Sequence, residues 1–380
     1  MLTSRQRVER VLNHQEADRV PLDLGTTFFT AYHLEVAKEV NKQLGVEQDD
    51  YQFVSFSAQT VKAHPVVLDK LKIDTYGINS KPAGNFRFEL NRTDNSYIDE
   101  WNIHYRKAEH SYQYDFIKHP LDNAGIADLD LYPWPDPLDQ GRFKGFREEV
   151  KSLYENTDYA LILNTPVGSQ IMGMIGWLTG YEKLYTDIAV NHDFIRAISE
   201  KLLLWHEEWI RKALELVGEY LTCIAIADDL GIQSGPMINP AIYRKLIKPF
   251  HQKLFSFVKS RTDAKILFHS CGSVYEFLPD LIEMGVDIIN PIQYSAKDMS
   301  CINLKKNFGD RICFWGGGCD AQGILPFGSV SQVREEVERV INILKPGGGY
   351  VYAPIHAVLP GVSAEKVLTM YQTALEHGGY

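Results

Sequence analysis

Residues 265–272 read Lys-Ile-Leu-Phe-His-Ser-Cys-Gly, a run of apolar side chains that ends in an imidazole, a thiol and a glycine. A short apolar run of this kind is typical of a strand buried on both faces, as in a parallel sheet. Residues 223–227 form a second such run, which ends at the acid pair Asp228 and Asp229. The pattern predicts a parallel sheet that carries polar groups at the carboxyl ends of its strands.

Six further β-rich runs bring the number of predicted strands to eight, and segments with helical period lie between them. The strands are Val20–Leu24, Lys72–Gly77, Ala160–Asn164, Cys223–Ala227, Lys265–Phe268, Asp287–Asn290, Arg311–Trp315 and Tyr350–Ala353. The clearest helical segments are Arg5–Leu12, Asp193–Leu216, Pro240–Val258 and Val330–Leu344. Eight strands, mostly followed by a helix, predict the α/β class and a (β/α)₈ TIM barrel rather than an open sheet.

Residues 86–114 interrupt this alternation. Polar and apolar positions alternate there around the turn Arg92-Thr93-Asp94-Asn95, which predicts an antiparallel hairpin. We therefore interpret residues 1–380 as one barrel domain with an inserted hairpin around residues 86–114. A separate first domain that ends near Lys118 is the alternative.

Composition excludes several classes of partner. A net charge of −10 and a pI near 5.7 argue against a nucleic-acid surface, which normally needs a basic face. The polar run after Met1 and the lack of 18 consecutive apolar residues predict neither secretion nor a membrane span. The five irregularly spaced cysteines are expected to be free thiols in a reducing cytoplasm.

The sharpest chemical signal is His269 followed two residues later by Cys271. Both side chains can bind one ion if the backbone turns sharply, and Gly272 permits that turn. Cys319 would complete a His/Cys₂ set suited to Zn²⁺, and His356, at the end of the last strand, is the rival third ligand. Alternatively, His269 is a hydrogen-bonded rim histidine and the cysteines fill apolar gaps.

Other polar side chains follow the predicted strands and supply candidate catalytic and substrate-binding groups. Asp228 and Asp23 are the catalytic candidates, with Asp228 expected to orient His269 or to act on a substrate. For one acid of the pair 228–229, a helix or turn cap is the competing interpretation. The predicted substrate-binding residues are Phe28, Asn164, Asp229, Gln293 and Asp320.

Several stretches resemble the uroporphyrinogen decarboxylase superfamily over nearly the whole chain. The similar stretches are residues 5–8, 19–23, 268–273, 285–291, 315–322 and 348–356. The resemblance implies a barrel with insertions, in agreement with the strand count. True decarboxylases carry an Arg-Gln-Ala-Gly-Arg-Tyr stretch after the first strand, whereas residues 25–30 here read Gly-Thr-Thr-Phe-Phe-Thr. Without those arginines, a polycarboxylate substrate would lack its counter-ions.

The methyltransferases that serve corrinoid proteins form the other branch, and this chain resembles them at His269 and Cys271. In that branch the pair holds zinc together with a cysteine near the final strand, where this sequence has His356 instead. Methyltransferases that act on methoxylated aromatics are associated with an acid-x₁₄-Glu-x₂₀-His spacing, which Asp320, Glu335 and His356 satisfy. We do not expect Glu335 to be a ligand, because its helix should be solvated.

The resemblance therefore implies a zinc-dependent methyltransferase that moves a methyl group between a small methylated donor and the corrinoid of a partner protein. The donor would be of the methoxy-aromatic or methylamine type, and the direction of transfer stays open. The resemblance also implies a homodimer. The alternatives are a uroporphyrinogen decarboxylase, or a related decarboxylase that acts on another acid, and a non-catalytic barrel that binds a small ligand.

Overall fold

Seven parallel strands form one curved sheet in the computed structural model, which describes residues 2–380. We label them in chain order as β1 Thr75–Ile78, β2 Ala160–Asn164, β3 Cys223–Ala227, β4 Lys265–His269, β5 Ile288–Asn290, β6 Cys313–Trp315 and β7 Tyr350–Val351. Each strand pairs with the next one along the chain. Consecutive parallel pairing with helical connections brings all the carboxyl ends to the same rim.

The first predicted strand, Val20–Leu24, is not a regular strand, because Pro21 lacks an amide donor. It nevertheless lies between β7 and β1. The Asp23 N–H donates to the Tyr352 carbonyl at 2.8 Å, and the Asp74 N–H donates to the Leu22 carbonyl at 2.8 Å. The segment therefore closes the sheet into a ring, and the predicted TIM barrel is confirmed.

The closure is held by Asp74, whose carboxylate is fully buried just before β1. It accepts the Leu22 N–H at 2.8 Å and forms ion pairs with Arg7 and Arg19, both at 2.7 Å. The Ser4 hydroxyl also donates to it at 2.8 Å. One carboxylate thus ties the N-terminal helix, the closing segment and β1 together.

Helices surround the barrel and also cover its amino-terminal end. The N-terminal helix contributes Val8, Val11 and Leu12 to the core inside the barrel, so it closes that end. The larger core lies between the strands and the outer helices. The helices are Ser4–Leu12, Leu34–Gln43, Pro65–Lys70, Asp128–Leu131, Gln140–Phe143, Phe146–Asn156, Met172–Thr179, Tyr181–Val190, His192–Val217, Pro240–Leu246, Lys248–Lys259, Leu278–Glu283, Cys301–Phe308, Ile324–Phe327, Val330–Leu344 and Ala364–His377, with short 3₁₀ turns at Gly218–Tyr220 and Tyr275–Phe277.

Two boundaries differ from the predicted ones for clear reasons. The predicted helix Pro240–Val258 is broken at Ile247, because Pro249 has no N–H and its ring clashes with the preceding turn. Strand β1, predicted as Lys72–Gly77, begins at Thr75 rather than Lys72, since Lys72 adopts a φ of +55° in the turn after the preceding helix. None of the helices within residues 2–380 is both long enough and apolar enough to cross a bilayer.

Antiparallel strands occur outside the barrel. Ser96–Ile98, His104–Arg106 and Asp115–Lys118 form a three-stranded sheet in the region where a hairpin is predicted. Its side chains Trp101 and Tyr105 belong to the larger core. The other antiparallel strands are Tyr32–His33, Phe53–Ser55 and Thr60–Val61 in one sheet, and Gly231–Ile232 and Gly235–Pro236 in a hairpin. The description of residues 1–380 as one domain stays a prediction.

We expect Asp74→Ala to destabilise the protein by about 3–5 kcal/mol, because it leaves two arginines without their buried partner. Asp69→Ala is the matched control: Asp69 is exposed and pairs only with Lys72 at 3.4 Å, so a loss below about 1 kcal/mol is expected. Urea unfolding of both variants measures the difference. Equal losses would contradict the role assigned to Asp74.

Candidate metal centre

His269 is the last residue of β4, and it lies in register with Asn290, the last residue of β5. The His269 Nδ1 atom is 2.5 Å from the Asn290 Oδ1 atom, while the Asn290 amide nitrogen donates to the Trp315 carbonyl at 3.0 Å. Because the amide nitrogen must face that carbonyl, its oxygen faces the imidazole, and Nδ1 carries the proton. The Nε2 atom of His269 therefore presents a lone pair.

The His269 lone pair points into a cluster of three donor side chains. The Nε2 atom lies 3.3 Å from the Cys271 Sγ atom. One donor atom from each of His269, Cys271 and His356 lies within 4.8 Å of the others. Ligands of one tetrahedral zinc ion are separated by about 3.6 Å, given metal–ligand bonds of about 2.0–2.3 Å. Small side-chain movements would bring these atoms onto one ion.

A sharp turn after β4 brings Cys271 back toward His269. Gly272 has a φ of +76°, and a Cβ atom there would lie 2.5 Å from the Gly231 carbonyl carbon, so only glycine fits. The Cys271 N–H donates to Asp229 Oδ1 at 2.8 Å, and the Gly272 N–H donates to Gln293 Oε1 at 2.9 Å. The backbone that presents the thiol is therefore fixed from two neighbouring loops.

Burial sets the protonation of the cluster. It lowers the pKa of His269 well below the ordinary value, and neighbouring His356 adds to this effect, while the hydrogen bond with Asn290 opposes it. Burial also lowers the pKa of His356 and, with a contribution from Asp229, raises that of Cys271 well above its usual range. Two neutral imidazoles and one thiol are thus expected, with loss of the thiol proton accompanying cation binding.

Phe29 covers the cluster from the loop that follows the closing segment. Its ring lies nearly parallel to the His269 ring, at an interplanar angle of 9°, and edge-on to the His356 ring at 71°. Phe29 itself is buried. This packing limits rotation of the His269 ring and keeps water from one of its faces.

A cavity of about 720 Å³ lies against the cluster, with His269 and His356 in its wall. The wall is rich in aromatic side chains. The sequence shows many aromatic residues near the predicted rim, but it does not show whether they line a cavity or fill the core. Phe28, Asn164 and Asp229, all predicted to bind substrate, do line this cavity. Further aromatic lining comes from Tyr97, Tyr105, Phe116, Trp177 and Tyr181. Such walls suit a flat or apolar ligand.

The arginine of the cavity wall is already paired. Among the described lining residues, the only guanidinium is that of Arg142, which pairs with Glu100 at 2.5 Å. The Lys81 ammonium donates to the Lys144 carbonyl at 2.9 Å. No arginine is therefore left to bind a substrate with many carboxylates.

Asp228 has a different role from the predicted one. Its carboxylate is buried and accepts hydrogen bonds from His251 Nε2 at 2.9 Å, from the Ser169 hydroxyl at 2.6 Å and from the N–H groups of Met172 and Gly173 at 2.7 Å each. Burial would raise its pKa, but the bonds from His251 and the other donors hold the pKa below the ordinary value. Asp228 thus caps the helix Met172–Thr179, and Asn290, not Asp228, orients His269.

Asp23 is also misplaced for catalysis. It is fully buried and accepts hydrogen bonds from Trp315 Nε1 at 2.8 Å, the Thr75 hydroxyl at 3.1 Å and the Thr26 N–H at 3.2 Å. Burial raises its pKa. It does not line the cavity, so its observed role is to hold the loop that carries Phe28 and Phe29.

Three other predicted site residues lie away from the cluster or serve the framework. Cys319 is fully buried in the larger core, and burial raises the pKa of its thiol to about 12. It faces the helix layer, so it is not grouped with His269. Asp320 accepts the Gln322 N–H at 3.3 Å outside the cavity, and Gln293 holds the Gly272 turn. Glu335 is exposed, as expected.

Two residues that contact His269 were missed as site residues by sequence reasoning. Asn290 could have been found, because it ends the strand next to the one that His269 ends. Phe29 stood in the predicted rim loop, but its sequence context does not distinguish it from Phe28. Only the packing shows which ring covers His269.

The model of the uroporphyrinogen decarboxylase (URO-D) family matches residues 116–377, which is more than half of the chain. The chain belongs to this family. No curated protein matches it. The URO-D match covers β2 to β7 and thus includes every residue of the cluster.

Solved structures give a second comparison. A methyltransferase from Methanosarcina mazei has the same fold as this URO-D family chain, with a TM-score of 0.63, 16% identity and 99% coverage of each chain. Xylanase 10B from Thermotoga maritima gives a TM-score of 0.40 at 15% identity, covering 62% of this chain and 79% of its own. The latter similarity is too low to carry an argument.

Asp99 in the cavity wall gives a pH-dependent prediction. Burial raises its pKa to about 6, against hydrogen bonds from Ile103, Tyr105 and Trp101 that lower it. The folded state therefore binds this proton more tightly than the unfolded state does. Relative to Asp99→Asn, the wild type should lose stability, by at most about 3 kcal/mol, as the pH rises from about 4 to about 6. Urea unfolding across this range measures the trend, and a constant difference would contradict it.

Proposed function

We propose that this protein is a zinc-dependent methyltransferase that moves a methyl group between a small methylated donor and the corrinoid of a partner protein. One observation carries the proposal: the His269 Nε2 lone pair, the Cys271 thiol and His356 converge beside an aromatic cavity whose wall includes both histidines. They lie at the carboxyl rim, where barrel enzymes hold their active sites.

The three side chains suit zinc. Two imidazoles and one thiolate form a soft donor set that favours Zn²⁺ over Mg²⁺, and three protein ligands leave a position for substrate. We assign His356, rather than the other candidate Cys319, as the third ligand. When bound, zinc supplies a Lewis acid that draws electron density from the heteroatom carrying the methyl group.

The chain's own residues would bind and orient the donor. Phe28 and Trp177 both approach Gly168, where a Cβ atom would lie 2.8 Å from the first ring and 3.1 Å from the second. Both rings line the cavity, where they would contact a flat donor. The bond between the methyl carbon and the heteroatom would break with its electron pair left on the heteroatom, and a partner corrinoid in the cobalt(I) state would supply the pair for the new bond to the methyl carbon. The reverse transfer uses the same groups.

A donor of the methoxy-aromatic or methylamine type fits better than a porphyrinogen. The cavity wall is rich in aromatic rings, and the only guanidinium among its described residues is bound to Glu100. The methyltransferase from Methanosarcina mazei, which has the same fold, is consistent with methyl transfer as the reaction. The decarboxylase alternative has no comparable support from the cavity.

Metal content tests the ligand set. We expect about one zinc ion per wild-type chain, and loss of zinc from His269→Ala, Cys271→Ser and His356→Ala, because each removes one of three ligands. Cys319→Ala, a buried thiol outside the cluster, is the control and should keep its zinc. Elemental analysis of the purified proteins gives the result, and methyl transfer to a free corrinoid should be lost together with the metal.

Two outcomes would contradict this assignment. Wild-type protein purified and reconstituted without zinc uptake would end the methyltransferase proposal. Zinc loss from Cys319→Ala with retention in His356→Ala would show that the third ligand is wrong.

The hydrogen bond of Asn290 gives a separate prediction. Asn290→Ala frees the His269 ring and its tautomer, so zinc affinity should fall by about 10–100-fold. Asn164→Ala is matched to it, since Asn164 also ends a barrel strand and donates to a carbonyl, that of Thr26, at 2.8 Å. Competition with a chelating dye measures both affinities. A similar fall in both variants would mean that Asn290 acts only on stability.

A further inference from the structure

We propose that the methyl donor of this protein carries a second aromatic ring, which binds in an outer part of the cavity away from the metal cluster. This inference rests on the proposed function and deepens it, because it names the class of donor. The outer part is lined by Phe56, Phe86 and Phe116, which we call the outer ring group.

The cavity is much larger than one aromatic ring requires. Its volume is about 720 Å³, whereas an apolar cavity of about 150 Å³ is enough to bind benzene. A donor with a single ring would fill a small part of this space and leave most of the aromatic wall in contact with water. Contact between water and apolar surface is unfavourable, so the wall favours a ligand that covers more of it.

The outer ring group comes from a different side of the barrel than the metal cluster does. Phe56 follows the strand Phe53–Ser55, and the other two rings belong to the segment between β1 and β2. Strand β1 is three strands away from β4, the strand that ends at His269. The cavity therefore extends across the mouth of the barrel, from the metal cluster to the outer ring group.

A series of aromatic contacts joins the two sides into one continuous surface. The Trp177 ring contacts Phe116 with 5.5 Å between centroids, and Phe116 contacts Tyr105 at 5.0 Å. Tyr105 stacks on Tyr97 at 4.7 Å, and Tyr97 contacts Phe56 at 5.4 Å. Rings in contact have centroids about 4.5–7 Å apart, so one ring covers one or two steps of this series and a second ring extends toward Phe56.

Exposure shows which rings of this series are available to a ligand. The three members of the outer ring group line the cavity and are half-buried, so each keeps accessible ring surface. Tyr97 and Tyr105 are buried behind them, at 7% and 6% exposure. The accessible faces of phenylalanine rings favour an aromatic group as the second part of the donor.

Binding of para-phenylphenol and of phenol to the zinc-bound protein tests the inference without a methyl acceptor. We compare wild type with Phe56→Ala, and Phe88→Ala is the matched control. Both side chains contact Tyr97, at 5.4 Å and 5.2 Å, and they contact each other at 4.6 Å. Either change therefore disturbs the same packing, but only Phe56 lines the cavity. Calorimetry measures the affinities.

Wild type should bind para-phenylphenol at least about 10-fold more tightly than phenol, because the second ring buries further apolar surface. Phe56→Ala should lose most of this preference while its affinity for phenol is unchanged, and Phe88→Ala should keep the preference. In methyl transfer to a free corrinoid, Phe56→Ala should raise KM for para-methoxybiphenyl by about 10-fold without a change in kcat, because the ring acts on binding alone. Both constants for anisole should match those of wild type.

Equal affinities of wild type for the two phenols would overturn this inference and leave the methyltransferase proposal intact. An equal loss of para-phenylphenol binding in Phe56→Ala and Phe88→Ala would also overturn it, since that result assigns Phe56 to the packing of the wall. Loss of free-corrinoid binding in Phe56→Ala, with para-phenylphenol binding kept, would assign the outer part of the cavity to the partner's corrinoid instead. Wild-type protein that takes up no zinc would overturn the proposed function itself, and this inference with it.

Discussion

The buried carboxylate of Asp74 is the constraint on which the rest of the barrel depends. A (β/α)₈ barrel has eight strand positions around its ring. Residues 20–24 occupy the eighth position, but they include Pro21 and cannot form a complete ladder of backbone hydrogen bonds. The Asp74 carboxylate accepts the Leu22 N–H at 2.8 Å and forms ion pairs with Arg7 and Arg19 at the point where this segment meets β1. The loop that carries Phe28 and Phe29 starts directly after this segment. Closure of the barrel therefore also positions the Phe29 side chain, which covers His269.

Strand register converts this fold into a chemical site. His269 and Asn290 end adjacent strands at the same level, and the amide of Asn290 is itself oriented by the Trp315 carbonyl at the end of the next strand. Backbone geometry thereby selects the tautomer of His269 without help from any charged group. An amide partner leaves the imidazole neutral, whereas a carboxylate partner would add negative charge to a site that already contains a thiol and Asp229.

The fold and part of the site could be predicted from the sequence because both depend on local patterns. Apolar runs that end in polar groups located the strands, and the rim then brought His269, Cys271 and His356 together. The direction of a side chain after a strand depends on distant residues and could not be predicted. Asp228 turns toward the helix that begins at Met172, and Cys319 turns outward into the helix layer. The residues that neighbour Asp228 and Cys319 in the sequence do not indicate either side-chain direction.

Membership of the URO-D family does not choose between decarboxylation and methyl transfer, because function resides in the site and not in the fold. A substrate with many carboxylates needs several cations that are free to bind it, and the described cavity wall contains one arginine, already bound to Glu100, and one lysine, Lys81. A methyl group needs an apolar approach and a means to stabilise the electron pair it leaves behind. Aromatic walls meet the first need, and a soft donor cluster in the same wall meets the second when it holds a cation. The lining of this cavity therefore fits an uncharged methylated donor better than a substrate with many carboxylates.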